Sequence, residues 1–115
     1  MATVIQVTKF LVEFKKSIDN TGLELIPRRV NLDTIARLGL TVKQVRDLIQ
    51  GLKYSNYSSG PELDHDGSNG EIWVFGYNLT GEMLYIKLKL SGNRAKCLSF
   101  HKAELNLSLP YKIGS

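Results

Sequence analysis

The segment Leu84–Leu90 alternates strictly between aliphatic and polar side chains, and this alternation constrains the fold more than any other feature of the sequence. The aliphatic side chains fall on the even positions, and the polar ones, Tyr85, Lys87 and Lys89, fall on the odd positions. Successive side chains of a β-strand point to opposite faces of a sheet. The segment therefore predicts a strand with one face on a core and one polar face.

Two further stretches of strand-forming residues flank this strand. Ile72–Phe75 precedes it, and Ala95–Lys102 follows it after the turn Ser91–Arg94. β-branched and aromatic residues favour strands, and a short turn that contains glycine favours antiparallel pairing. The second half of the chain therefore predicts a three-stranded antiparallel meander.

The first half of the chain carries a helical period instead. Apolar side chains recur at spacings of three and four within Val7–Ile18 and again within Val42–Leu52. Between these two helices, Asn31 is expected to cap a short helix that ends at Gly39. The proline of Leu23–Pro27 suits an extended piece at a sheet edge. Together these signals predict an α+β fold in which N-terminal helices pack on an antiparallel β-sheet.

The stretch Tyr54–Gly70 interrupts both patterns with a concentration of turn-forming residues. It predicts a long mobile loop, either a binding segment or a tolerated surface insertion. Asp64-His65-Asp66 suggests a metal, but Asn69 and Phe75 stand where a calcium loop needs its glycine and closing glutamate. The lone Cys97 provides no zinc spacing. We therefore expect neither a metal ion nor another cofactor.

Composition narrows the class of protein. A chain of 115 residues with 43% hydrophobic and 23% charged residues suits one domain, expected over residues 1–115. Neither a signal peptide nor a membrane span is evident, and a single cysteine excludes an intramolecular disulfide, so we expect a cytoplasmic protein. A net charge of +4 favours a polyanionic partner, although a basic surface that only maintains solubility is an alternative.

The last strand is expected to direct Leu98 and Phe100 to the core. Its other face then carries three side chains: Cys97, Ser99 and His101. Antiparallel pairing with a shared core places Tyr85 and Lys87 of the preceding strand on that same polar face. The two strands thus bring a histidine, a lysine and a tyrosine together.

Such a face has the groups that metal-free RNA cleavage needs. The reaction requires a base for the 2′-hydroxyl, cations near the phosphate and an acid for the leaving oxygen. Histidine exchanges a proton nearest to neutral pH, so His101 is the expected proton shuttle, with Lys87 on the phosphate and Tyr85 positioning or stacking a base. Further cations expected to contact the RNA backbone are Arg28, Arg29 and Lys89. An ordinary solvated sheet face is the alternative interpretation.

Four stretches carry a resemblance to a known family: Leu48-Ile49-Gln50-Gly51-Leu52, Ile72-Trp73, Tyr85-Ile86-Lys87 and Ser99-Phe100-His101-Lys102. The predicted elements of the chain follow the order helix, edge strand, two helices and three-stranded meander. In motifs and order the chain resembles the MqsR family of bacterial toxins, which share the RelE-like fold and act as messenger-RNA endoribonucleases. The resemblance implies a RelE-like fold for this chain.

The resemblance also implies roles and partners. In the family, a tyrosine on the middle strand and a basic residue after a Ser-Phe pair are implicated in cleavage, and these correspond to Tyr85 and His101. Ser59 stands near a family lysine and Lys102 ends the last motif, so both join the RNA-binding candidates, whereas Val74 replaces a family glutamine. A cytoplasmic toxin without cofactor is implied, with messenger RNA and a cognate antitoxin protein as partners. A toxin that acts only on the ribosome and a non-catalytic RNA-binding module stay open as alternatives.

Overall fold

A computed structural model of the protein describes residues 1–65 and 70–112. The described elements are helices α1 (Val4–Thr21), α2 (Arg29–Leu38) and α3 (Val42–Gln50), and strands β1 (Leu23–Leu25), β2 (Tyr57–Leu63), β3 (Glu71–Leu79), β4 (Glu82–Ser91) and β5 (Arg94–Lys102). The strands form one sheet in the order β1-β5-β4-β3-β2. Neighbours pair antiparallel except β1 and β5, which are parallel. The α+β prediction is confirmed, and the arrangement is consistent with a RelE-like toxin.

Helix α1 provides the main apolar face above the sheet. It begins with a capping box in which the Thr3 hydroxyl accepts the Gln6 backbone N–H and the Gln6 side chain accepts the Thr3 N–H. Five apolar side chains form its buried stripe: Val7, Phe10, Leu11, Phe14 and Ile18. Phe10 stacks on Trp73 of β3 with ring centroids 4.6 Å apart. None of the described helices has the length and apolar character needed to cross a membrane.

One face of the sheet forms the core under the helices. A row of directly paired, fully buried side chains crosses four strands: Tyr57, Phe75, Ile86 and Phe100. Leu84 and Leu88 of β4 are also fully buried. The core face predicted from the alternation in β4 is therefore confirmed.

The predicted mobile loop Tyr54–Gly70 is wrong over much of its length. Tyr57–Leu63 forms β2, which pairs with β3 at the edge of the sheet, with two register shifts along the pair. An edge strand tolerates Gly60 and Pro61 because only one of its sides is hydrogen-bonded. Pairing with the apolar β3 outweighs the weak local strand propensity of this polar stretch.

Strand β5 departs from simple alternation at a β-bulge. Lys87 pairs with Ser99, but the next residue of β4, Leu88, pairs with Cys97. Leu98 is therefore an extra residue in β5. As a result Cys97 is fully buried in the core, and its predicted position on the polar face is wrong. Leu98, predicted to face the core, is only half-buried.

Helix α2 begins earlier than predicted. Arg28 occupies its N-cap without a side-chain hydrogen bond, and Asn31 lies fully buried inside the first turn. The Asn31 amide donates to the backbone oxygens of Ile26 and Leu98, at 3.0 and 3.1 Å, and its oxygen accepts the Phe100 N–H at 2.9 Å. The prediction of Asn31 as a helix cap is therefore wrong, because its side chain bonds to strand β5.

After β5, residues 103–112 cross the sheet face that lies opposite the helices. Leu107 Cδ1 lies 3.1 Å from the position that a Cβ on Gly76 would occupy, so the segment rests directly on the backbone of β3. Beyond that contact, the Tyr111 hydroxyl donates to the Ala2 carbonyl at 2.6 Å. The segment is thus fixed at its far end, and it covers part of the face that carries the polar side chains.

Candidate functional site

The register of β4 and β5 brings four polar side chains onto one face. Tyr85 pairs directly with His101, and Lys87 pairs with Ser99. Between them, Ile86 points to the opposite face and is fully buried. The prediction that these four side chains share one face is therefore confirmed.

Tyr85 and His101 also touch through their rings. The two rings stack with centroids 5.3 Å apart and an interplanar angle of 20°. On the His101 ring, Nδ1 lies 3.0 Å from the carbonyl oxygen of Lys102. Because a carbonyl oxygen only accepts hydrogen bonds, this bond requires the proton on Nδ1. The neutral ring then presents Nε2 as its basic nitrogen.

The Tyr85 hydroxyl behaves differently from the imidazole. Burial, and to a lesser extent the negative charge of Glu62, raise the pKa of Tyr85 above its ordinary value. The phenol therefore keeps its proton at neutral pH. In this site Tyr85 is therefore a neutral phenol whose hydroxyl can donate a hydrogen bond.

The stacked pair lies in a cavity of about 490 Å³. The cavity is lined by side chains from three parts of the fold: Arg28, Tyr85, Lys87, Ser99, His101 and residues 103–107. This volume lies within the ~300–1,000 Å³ typical of ligand sites. A cavity of about 590 Å³ beside α1 contains Lys9 and Glu13 but no histidine, so we assign the site to the smaller one.

Two cations face this cavity without a carboxylate partner. Within residues 1–65 and 70–112, no ion pair involves Arg28 or Lys87. Arg29, by contrast, lies 3.6 Å from Asp33 on the exposed surface of α2 and does not line the cavity. Because Glu104 also lines the cavity, Arg28 and Lys87 together leave the lining with a net excess of one positive charge.

Lys89 is placed differently from the sequence prediction. Its side chain is only 5% exposed, and its Nζ lies 2.7 Å from a carboxylate oxygen of Asp64. A buried ammonium held in an ion pair is costly to expose. This placement argues against the predicted contact between Lys89 and RNA.

Ser59 and Lys102 lie outside the cavity of His101. Ser59 is exposed on β2 and borders a separate cavity with Ser108 and Pro110. Lys102 lies at the end of β5, where its charge helps to lower the pKa of Glu82. Neither side chain lines the cavity that holds the stacked pair.

Sequence reasoning missed one wall of the site and one supporting residue. Residues 103–107 line the cavity, but their sequence has no periodic pattern that predicts a β-strand or a helix. For Asn31 the sequence predicts only a helix cap, whereas its side chain supports β5. Across the described parts of the chain, no three side chains among His, Cys, Asp and Glu converge as a metal site would require. Asp66 and Asn69 of the predicted loop lie outside the described residues.

The comparison with known families agrees with this architecture. The model of the family described as motility quorum-sensing regulator, toxin of MqsA, matches residues 7–102. The chain belongs to this family. The match to the MqsR toxin runs from α1 to the end of β5, so it includes both polar pairs and excludes the wall formed by residues 103–107. A search of curated proteins found no match. Membership in the MqsR family makes the chain a toxin of a toxin–antitoxin system.

Proposed function

We propose that this MqsR-family toxin is an endoribonuclease that cleaves messenger RNA without a metal ion, and so inhibits translation and growth. One observation carries the proposal: His101, whose Nδ1 is bonded to the Lys102 carbonyl so that Nε2 is the basic nitrogen, lines a cavity that also contains Arg28 and Lys87. A solvated sheet face has no need of an oriented imidazole beside two cations that form no ion pair among the described residues. RNA cleavage uses all three.

In the proposed reaction, His101 Nε2 takes the proton of a ribose 2′-hydroxyl. The freed oxygen attacks the adjacent phosphorus, an O2′–P bond forms, and the P–O5′ bond breaks. The products are a 2′,3′-cyclic phosphate and a 5′-hydroxyl, whose oxygen takes its proton from water. Positioned general bases of this kind contribute roughly 10²–10⁴ in rate.

The remaining side chains act on the phosphate. Lys87 and Arg28 supply positive charge where negative charge develops on the non-bridging oxygens. The guanidinium of Arg28 is suited to two parallel hydrogen bonds with a phosphate. The Tyr85 hydroxyl, kept protonated by burial, donates a third hydrogen bond. This division of roles explains why a tyrosine and a histidine occupy directly opposed positions.

The direct test uses purified protein, single-stranded RNA and a chelator, without ribosomes. We expect cleavage products that end in a 2′,3′-cyclic phosphate. RNA that stays intact but is bound would favour the non-catalytic RNA-binding module, and cleavage that needs added ribosomes would favour the ribosome-dependent toxin. Activity that returns only with a divalent ion would overturn the metal-free mechanism.

We further propose that the protein works in the cytoplasm, as a single domain over residues 1–115, and is silenced there by a cognate antitoxin. The family description, as a toxin of MqsA, supports the antitoxin partner. Co-expression with the product of a neighbouring small gene is expected to restore growth and to yield a stable complex. Growth arrest that persists despite antitoxin expression would count against this pairing.

A further inference from the structure

The register of β4 and β5 begins at the turn, where Ser91 pairs with Arg94, and the bulge at Leu98 decides which residues of β5 join the polar pairs. With unbroken alternation, Leu98 would oppose Lys87, and Ser99 would oppose Ile86 on the core face. The bulge at Leu98 shifts the register by one residue and returns Ser99 to the polar side. The next polar residue, His101, then meets Tyr85.

A bulge leaves backbone groups that the strand ladder does not satisfy. On the side away from β4, strand β1 pairs with β5 only as far as Cys97, whose carbonyl accepts the Ile26 N–H at 3.0 Å. Beyond Cys97, the side chain of Asn31 replaces β1 as the hydrogen-bond partner of the β5 backbone on this side. Its amide donates to Leu98 O at 3.1 Å, and its oxygen accepts the Phe100 N–H at 2.9 Å.

The Asn31 amide thus takes the place of a peptide group beside the bulge. Its two contacts on β5 flank Ser99, and the side chain is fully buried with every polar atom bonded. The Asn31 backbone N–H also donates to the carbonyl of Arg28 at 3.0 Å. One residue therefore connects the strand of His101 with the helix end that carries Arg28.

We propose that Asn31 is a positioning residue of the cleavage site: it holds the bulge that aligns Ser99 and His101 with β4 and fixes Arg28 beside them. The proposal rests on the proposed function for its catalytic readout. Asn31 reaches no substrate itself and acts through the backbone of β5. Its loss leaves Leu98 O and the Phe100 N–H without their partner, and the register of β5 at Ser99 loses its support.

The test compares Asn31→Ala and Asn31→Asp with a matched control, Ser17→Ala. The Ser17 hydroxyl is also buried and donates to a backbone carbonyl, that of Asn93, at the opposite end of the β4–β5 hairpin. For both Asn31 variants we expect kcat to fall about 100-fold with KM changed by less than about threefold, as for a misplaced catalytic group. Ser17→Ala is expected to lower the unfolding temperature and keep the parent kcat.

A second readout is independent of activity. In the parent, NMR is expected to show cross-strand contacts between Tyr85 and His101 and the Nδ1–H tautomer of the His101 ring. The Asn31 variants should lose both signatures, and Ser17→Ala should keep them. If Asn31→Ala does not fold, the positioning role is tested with Asn31→Asp. This variant is expected to fold because it retains an oxygen acceptor for the Phe100 N–H.

The outcomes separate the two proposals. Folded Asn31 variants with the parent kcat and the parent His101 signature would overturn the positioning role. A parent that does not cleave RNA would overturn the proposed function, while the NMR comparison would still decide whether Asn31 holds the register of His101.

Discussion

Tyr85 and His101 lie directly opposite each other on β4 and β5, and their rings stack 5.3 Å apart at an angle of 20°. The contact joins the proposed hydrogen-bond donor to the proposed base. Two side chains that touch in this way do not act independently, so the effects of replacing them are expected to couple.

Replacing His101 with Ala removes the proposed base, and we expect cleavage to fall by about 10²–10⁴. Tyr85→Phe keeps the stacked ring and removes one hydrogen bond to a charged phosphate, a loss of about 10- to 100-fold. The double variant should lose less than the product of the two. The measurements are RNA cleavage and growth arrest, with thermal unfolding as the control for folding. Folded variants that cut RNA like the parent would show that the site is wrong.

The two adjacent arginines provide a matched pair for testing the electrostatic part of binding. Arg28 lines the cavity, whereas Arg29 faces Asp33 on the surface of α2. In the His101→Ala background, which prevents cleavage, Arg28→Ala should weaken RNA binding and reduce the slope of log affinity against log salt by about 0.7. Arg29→Ala should leave the slope unchanged. Equal effects of the two substitutions would contradict the assignment of Arg28 to the site.

The ion pair between Arg37 and Glu82 predicts a pH-dependent stability. The guanidinium donates two hydrogen bonds, at 3.0 and 2.6 Å, and these lower the pKa of Glu82 in the folded state. A depressed folded-state pKa contributes stability above the unfolded pKa, and this contribution is lost as pH falls through the folded one. Arg37→Gln should therefore be less stable than the parent near pH 7 and equally stable below about pH 3.

Urea unfolding across this pH range measures the effect. Lys43→Gln is the control, because Lys43 and Asp47 form an exposed pair within α3, and such pairs contribute little. A stability difference for Arg37→Gln that persists unchanged into acid would contradict the link between α2 and β4.

Cys97 is expected to report on unfolding. Burial raises the pKa of its thiol to about 12, and the thiol donates to the Ser99 carbonyl. Because the thiolate is the reactive form, the native protein should react with a thiol reagent only when the core opens. The labelling rate should rise with urea in parallel with unfolding followed by circular dichroism. Rapid complete labelling of the native protein would contradict this burial.

The sequence pattern was sufficient for the sheet face but not for every residue on it. The alternation in β4 predicts its two faces because a strand period of two needs no information from elsewhere in the chain. The bulge in β5 has no such local signal. Cys97 is small enough for either face, and the partner that completes the bulge, Asn31, comes 67 residues before Leu98. Only the tertiary fold brings them together.

Two other segments escaped prediction for similar reasons. Strand β2 consists mainly of residues with weak strand propensity, and its extended form depends on pairing with β3. Residues 103–107 form a wall because the segment around Leu107 packs where Gly76 has no side chain. Such contacts between distant parts of the chain leave no period in the sequence.

Over evolutionary time, the bulge ties the length of β5 to the residue at position 31. Leu98 is the extra residue of β5, so a related chain without it would have unbroken alternation and would still place the equivalents of Ser99 and His101 opposite Lys87 and Tyr85. The side-chain amide of Asn31 would then have no bulge to bond. Related sequences are therefore expected to keep Asn31 together with the three-residue step between Cys97 and Phe100, or to lose both.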